Sequence, residues 1–210
     1  MAQLNGGWAD FERAEDYSMR EFEVYRSADI VLCISDDDRR GLLAKDPALN
    51  VRLLPMRAEL LPDGGELATR EGILFLGNFA NAANRDGAEW ILGEVWPLVR
   101  AQIPGATLSL AGSNFPAELG SPHEGVKKIG HVPDLQPLLL QHRVFICPIR
   151  FGTGIKTKNL SALGSGLPLV TTTIGAEGMN LRHGHSALIA DTAEAFASEI
   201  VRAYTDNILW

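Results

Sequence analysis

The chain has 210 residues, 46% of them hydrophobic and 21% charged, with a formal net charge of −7. That size suits one large domain or one and a half ordinary ones, and the composition is that of a soluble globular protein. The acidic balance, with lysines and arginines spread along the chain, tells against a nucleic-acid partner, which needs a basic face. Cys33 and Cys147 lie far apart in apolar runs, so neither a disulfide framework nor a zinc site is expected, and a reducing compartment fits best. No apolar run approaches the ~20 residues of a membrane span, and there is no signal-peptide core, so a cytoplasmic protein is expected.

From the N-terminus, GWADFERAEDYSMREFEVYRSA has helical spacing and ADIVLCIS is an apolar run of strand length. SDDDRRGLLAKD offers Ser35 as an N-cap and acidic residues in the first turn, so a helix is expected there. NVRLLP reads as a second short strand. The segment after it, MRAELLPDGGELATREG, holds Pro62, Gly64 and Gly65 without strong periodicity and reads as a linker. The pattern restarts at Gly72 with the strand GILFLGNF, the helix DGAEWILGEVWPLVRAQIP and the strands ATLSLAG and VKKIG. PDLQPLLLQH (helix), RVFICPI (strand), TKNLSALGSG (helix), LPLVTTT and HSALIAD (strands) and AEAFASEIVRAYTD (helix) complete it.

Apolar strands alternating with amphipathic helices predict an α/β fold: a doubly wound parallel sheet, Rossmann-like, preceded by a short βα fragment. Ligands of such sheets bind beyond the carboxyl ends of the strands, where the strand order reverses. The loops NFANAANRDG, SNFPAEL, HVPDLQ, RFGTGIKTK and TTIGAEG each follow an expected strand, so all five are expected to line one crevice. His123, His142, His183 and His185 have no partner spacing and read as exposed loop histidines.

RFGTGIKTK is the loop built for an anion. Gly152 and Gly154 allow a sharp turn and close backbone approach. The helix that starts near Lys156 aims unpaired N–H groups and its positive dipole end the same way. Lys156 and Lys158 add charges that the dipole alone would disfavour there, which makes sense if a multiply charged anion such as a diphosphate binds. The loop is not a Walker P-loop, because Ile155 stands where that motif needs Gly before its Lys. An ordinary strand-to-helix turn with two solvated lysines is the alternative.

GILFLGNF, EVWPLVRAQIPGATLSLAG, IGHVPDLQPLL, VFICPIRFGTGIKTK, ALGSGLPLVTTTIGAEGM and HSALIADTAEAFA, in this order and spacing, resemble the C-terminal, donor-binding domain of the GT-B glycosyltransferases of the retaining group 1 family. They cover about two thirds of the chain, and YRSADIVLCISDDDRRGLL through NVRLLP resembles the end of that family's N-terminal domain. The resemblance divides the chain into residues 1–60, a fragment of the acceptor-side domain plus linker, and residues 61–210, the nucleotide-sugar-binding domain. It implies that Lys156 and Lys158, after Gly152, Thr153 and Gly154, contact the donor diphosphate. It implies that Gly77, Asn78 and Arg85 face phosphates and sugar, and that His131, Val132 and Asp134 lie beside the base. His131 also reads as a plain loop residue, Asp134 as a helix N-cap, and Glu177 as either a crevice residue or a surface charge. No cofactor is implied, the nucleotide sugar being a substrate.

The family usually carries two glutamates, one in this turn and one on the following helix. Thr153 and Ser161 stand at those positions, and Ser161 is too short to hold a ribose as the second glutamate does. Asp36, Asp37 and Asp38 contain an Asp-x-Asp pattern, but their place at a helix start reads as capping rather than as a metal site. Most of the N-terminal domain is missing by the family's standard, so the partners implied are a nucleotide sugar and that missing domain or a partner chain. Peripheral membrane association through the acceptor belongs to the same expectation. The two functions in view are the donor-binding half of a retaining, metal-independent glycosyltransferase and a non-catalytic module that kept the fold and lost the chemistry.

Overall fold

The computed structural model describes residues 8–58, 60, 69–116, 119 and 123–210. The chain falls into two compact units that divide between Met56 and Arg57. Pro62, Gly64 and Gly65 of the expected linker, and Ala117 and Glu118 of the SNFPAEL loop, lie outside the described residues.

The smaller unit runs α1 (Trp8–Ser27), β1 (Val31–Cys33), α2 (Asp36–Lys45), β2 (Val51–Leu53), with β1 and β2 parallel and Val31 opposite Val51. Ser35 caps α2 by accepting the Asp38 amide at 3.0 Å. Asp36 and Asp37 pair with Arg39 and Arg40 one turn on, so the aspartate run serves its own helix. Phe22, Val31, Cys33, Leu49 and Val51 form a small core. Leu32, between two buried neighbours, is 62% exposed, and Ile30 and Ile34 are exposed with it. Parallel sheets ordinarily bury both faces, so this one is covered on one side only.

The larger unit carries β3 (Ile73–Leu76), α3 (Ala82–Trp90), a π-helical turn (Ile91–Val95), α4 (Trp96–Gln102), β4 (Leu108–Ala111), β5 (Val126–Gly130) and α5 (Gln136–Gln141). It continues through β6 (Val144–Cys147), α6 (Thr157–Gly164), β7 (Leu169–Thr171), β8 (Leu188–Ile189) and α7 (Ala193–Thr205). The six strands are all parallel, in the order β5-β4-β3-β6-β7-β8. Every residue of β3, β4, β6 and β7 is buried, which is why they read as unbroken apolar runs. At the edge, β5 exposes Lys127 and Lys128, a usual defence of an open strand edge. Among the described residues, no helix is long and apolar enough to cross a membrane.

Two expectations need correction. The helix after β3 starts at Ala82, ahead of the expected Asp86, because the Asn81 side chain caps it by accepting the Ala83 and Asn84 amides. The π turn lies just before Pro97, which cannot donate to the Gly93 carbonyl and would clash with it in a regular helix. His142 is not an exposed loop residue. It is 7% exposed, with Nδ1 2.7 Å from the Leu138 carbonyl and Nε2 2.8 Å from the Ser109 hydroxyl. Burial holds its pKa below the ordinary histidine value.

Gly87 packs α3 against the chain leaving β6: a Cβ there would stand 2.5 Å from the Pro148 carbonyl oxygen, whereas one at Gly93 would meet nothing within 4 Å. Gly87→Ala is therefore expected to cost about 1–3 kcal/mol by overpacking, and Gly93→Ala to gain up to about 1 kcal/mol from helix propensity. Urea midpoints of the two variants should move in opposite directions. For His142, the unfolded chain binds the proton more readily than the folded one. Stability present above about pH 6.5 is therefore lost as pH falls through the folded pKa. The urea midpoint should drop between about pH 7 and about pH 5 by more in the native chain than in His142→Gln.

Candidate functional site

Successive strands β3, β4 and β5 step outward in one direction, and β6, β7 and β8 step outward in the other, from a junction where β3 and β6 lie side by side. Loops leave the carboxyl ends of these two neighbours in opposite directions, so a crevice opens between them. It has a volume of about 760 Å³ and is bounded by Leu76 to Asn78 and Asn81 to Asn84 at the end of β3 and start of α3, by Ile149, Phe151 to Thr153 and Ile155 to Lys158 after β6, and by Leu135 and Ser161.

Of the residues singled out in sequence, Gly77, Asn78, Gly152, Thr153, Lys156, Lys158 and Ser161 line this crevice. Arg85, His131, Val132, Asp134, Gly154 and Glu177 are not among its lining residues. Arg85 is exposed on α3, and Val132 packs against the main core. Asp134 is not the N-cap of α5, a position taken by Leu135, although its Oδ1 accepts the Gln136 amide at 3.0 Å just ahead of the helix. His131 is exposed beside it. Of the five loops expected to share the crevice, those after β3 and β6 supply nearly all of it, and Leu135 alone comes from HVPDLQ.

The loop after β6 is held from outside the crevice. Arg150 makes a two-pronged pair with Asp86 of α3 (2.9 and 2.6 Å), its guanidinium 5.3 Å from the Trp90 ring centroid. Beyond it, Gly152 and Gly154 adopt φ of 103° and 82°, a region that only glycine enters cheaply. They turn the chain into α6, whose N-cap position is Lys156 and which has no side-chain cap. No capping side chain therefore takes the amides of its first turn. One turn on, Ser161 faces the same space while Asn159 and Ala162 are fully buried.

The two lysines have separate fates. Lys158 Nζ donates to the Leu76 carbonyl at 2.9 Å and to Asn84 Oδ1 at 2.7 Å, 4.7 Å from the Phe75 ring centroid. Burial, aided by Lys156, holds its pKa below the ordinary lysine value. Its ammonium thus clamps the end of β3 to α3 and α6. Lys156 Nζ donates to the Gly154 carbonyl at 2.5 Å and stands 3.5 Å from Glu177 Oε2.

Asn81 and Asn84, missed in the sequence reading, build the opposite wall together with the expected Asn78. Asn84 Nδ2 donates to the Asn78 carbonyl at 2.9 Å, and Asn78 Oδ1 accepts from Asn114 Nδ2 at 2.9 Å. Asn81 directly before a helical pattern was the available signal. Phe151, exposed at the crevice, carried none, since one aromatic in a glycine turn has no periodicity.

Residues 70–206 match the family described as Glycosyl transferases group 1. An uncharacterized 44.6 kDa protein of a cps region in Klebsiella pneumoniae is 32% identical over 149 residues, 65% of this chain and 37% of that protein. A crystal structure of a TarM mutant from S. aureus, in complex with fondaparinux, α-GlcNAc-glycerol and UDP, superposes with a TM-score of 0.74. It is 13% identical and covers 88% of this chain and 38% of that one. Sucrose-phosphate synthase from Thermosynechococcus elongatus gives 0.68 at 20% identity over 93% of this chain and 54% of its own. The chain thus spans little more than a third of the Klebsiella relative and of TarM.

Lys158→Met should strand the Leu76 carbonyl and the Asn84 amide oxygen and cost about 1–3 kcal/mol of stability. Lys156→Met, losing a partly exposed pair, should cost less than about 1 kcal/mol. Equal urea midpoints for the two variants would show that the Lys158 contacts do not hold the sheet end.

Proposed function

The chain belongs to the group 1 glycosyl transferases, and from that premise we propose that its crevice binds the diphosphate of a nucleotide-sugar donor in a retaining, metal-independent sugar transfer. The observation that carries this reading is the uncapped start of α6, with Lys156, facing a crevice at the order reversal of the sheet. Amides fixed by the fold, and one cation, would oppose charge growing on the departing nucleoside diphosphate. They accelerate transfer because that charge is larger in the transition state than in the ground state. The sugar would pass through an oxocarbenium-like state. Phosphate contact is assigned here to Lys156 and the amides, because the ammonium of Lys158 is engaged elsewhere.

In this reading the chain supplies the donor side, and a further polypeptide, in the same protein or a partner, supplies the acceptor side. The uncovered face of the β1–β2 pair, with Ile30, Leu32 and Ile34 exposed, supports such a partner layer. The non-catalytic alternative draws its support from Thr153 and Ser161, neither of which offers the crevice a carboxylate.

Calorimetric titration of UDP, GDP and ADP sugars into the 210-residue chain tests the reading. Binding of one donor at about tens of μM to mM is expected, unchanged by EDTA and weakened by Lys156→Ala. Sugar release or transfer should be absent, since orienting the acceptor is worth many orders of magnitude in rate. No binding of any of the three would end the donor-site reading. Loss with EDTA would end metal independence, and turnover by the chain alone would end the half-enzyme assignment.

A further inference from the structure

Glu177 lies outside the crevice lining but stands against Lys156, a cation that lines it. Its loop is pinned from three sides. Thr172 Oγ1 donates to the Ile149 carbonyl and accepts the Gly175 amide at 2.8 Å, tying the loop to the chain leaving β6. Asn159 of α6 donates to the Gly175 carbonyl at 2.9 Å. Thr173 is held by Asp191 beyond β8, at 2.8 Å from its amide and 2.6 Å from its hydroxyl. A loop so fixed holds its carboxylate in place.

The carboxylate is poorly satisfied where it stands. Among the described residues, Glu177 Oε2 is buried and accepts no hydrogen bond, and the ammonium it faces is 3.5 Å away, too far for a direct bond, while the side chain as a whole is 39% exposed. Lys156, with 11% of its side chain exposed, is the least solvated half of the pair. Lys156 Nζ keeps its bond to the Gly154 carbonyl, but a half-buried charge pair that makes no direct hydrogen bond recovers little of the cost of drying its inner side. An anion oxygen that came closer to Nζ, and that also took the free amides of α6, would be a better partner for the lysine.

We propose that Glu177 is an internal competitor for the anion site: it neutralises Lys156 in the unliganded protein and is displaced when a multiply charged anion binds. This deepens the donor-site reading and rests on its assumption that the crevice takes an anion. The pair sets a threshold. A singly charged anion gains too little at Lys156 to replace a carboxylate already there, whereas a diphosphate supplies more charge and engages the helix start as well. Glu177 on this account selects for diphosphates by exclusion, without contacting the bound sugar.

The test uses the full chain with inorganic pyrophosphate as probe, followed by calorimetry. Glu177→Gln should tighten pyrophosphate about three- to tenfold, and Glu177→Ala should do the same, so that the result does not depend on one variant folding well. The gain should vanish when Lys156→Gln is added, and uridine binding should stay unchanged. Pyrophosphate affinity that is unchanged or weaker in both Glu177 variants, or a gain that survives Lys156→Gln, would overturn the proposal. The donor-site reading is judged separately by UDP, GDP and ADP sugars on the unsubstituted chain. If those fail while Glu177→Gln still tightens pyrophosphate, the competitor role stands without the sugar donor.

Discussion

Parallel strands present all their carboxyl ends on one side of a sheet, and the chain has to leave each of them. Between β3 and β6 it leaves in opposite directions, so no connection can roof the space above the pair. The crevice, the loop that lines it and the helix start that faces it all follow from that one order reversal. The core makes the reversal possible by burying β3, β4, β6 and β7 along their whole length, which leaves the sheet no freedom to close the gap.

The walls are then fixed by a few strong polar contacts placed just behind the surface. Asp86 and Trp90 hold Arg150, and with it the outgoing end of β6, against α3. Lys158 draws the end of β3, α3 and α6 together through the Leu76 carbonyl and Asn84. Each pair joins elements from opposite sides of the gap, so the crevice is braced from below and left empty above. A charge in a poorly solvated place is costly unless hydrogen-bonded, and Lys158 meets that condition with two oxygens and an aromatic face.

Electrostatically, the site therefore holds less free positive charge than its sequence suggests. One lysine is used within the fold and the other faces a carboxylate. What remains open to a ligand is the backbone: the first amides of α6, aimed by two glycines whose φ values other residues adopt only at a cost. These amides belong to the peptide chain itself and do not vary with the side chains around them. Thr153 and Ser161, where the family resemblance expects carboxylates, leave these amides intact.

The sequence alone determined the α/β class, the six strands of the sheet, the Ser35 cap and a glycine turn leading into a helix that starts with two lysines. These rest on periodicity, composition and local turn chemistry, which act over a few residues and leave their mark in order along the chain. It also carried the family resemblance, through blocks whose spacing reflects the alternation of strand and helix. Only the tertiary structure decided which loops meet. Leu135 reaches the crevice while His131 and Asp134, a few residues before it, do not, because a one-residue step around a turn redirects the side chain. It decided too that His142 is buried against Ser109, a strand partner 33 residues away. The division of labour between Lys156 and Lys158 has the same origin. Leu76, 82 positions before Lys158, and Glu177, in the loop after β7 and opposite Lys156, decide how each ammonium is engaged. Local sequence fixes that two cations stand at a helix start, but the energy of each depends on partners that only the folded chain brings near.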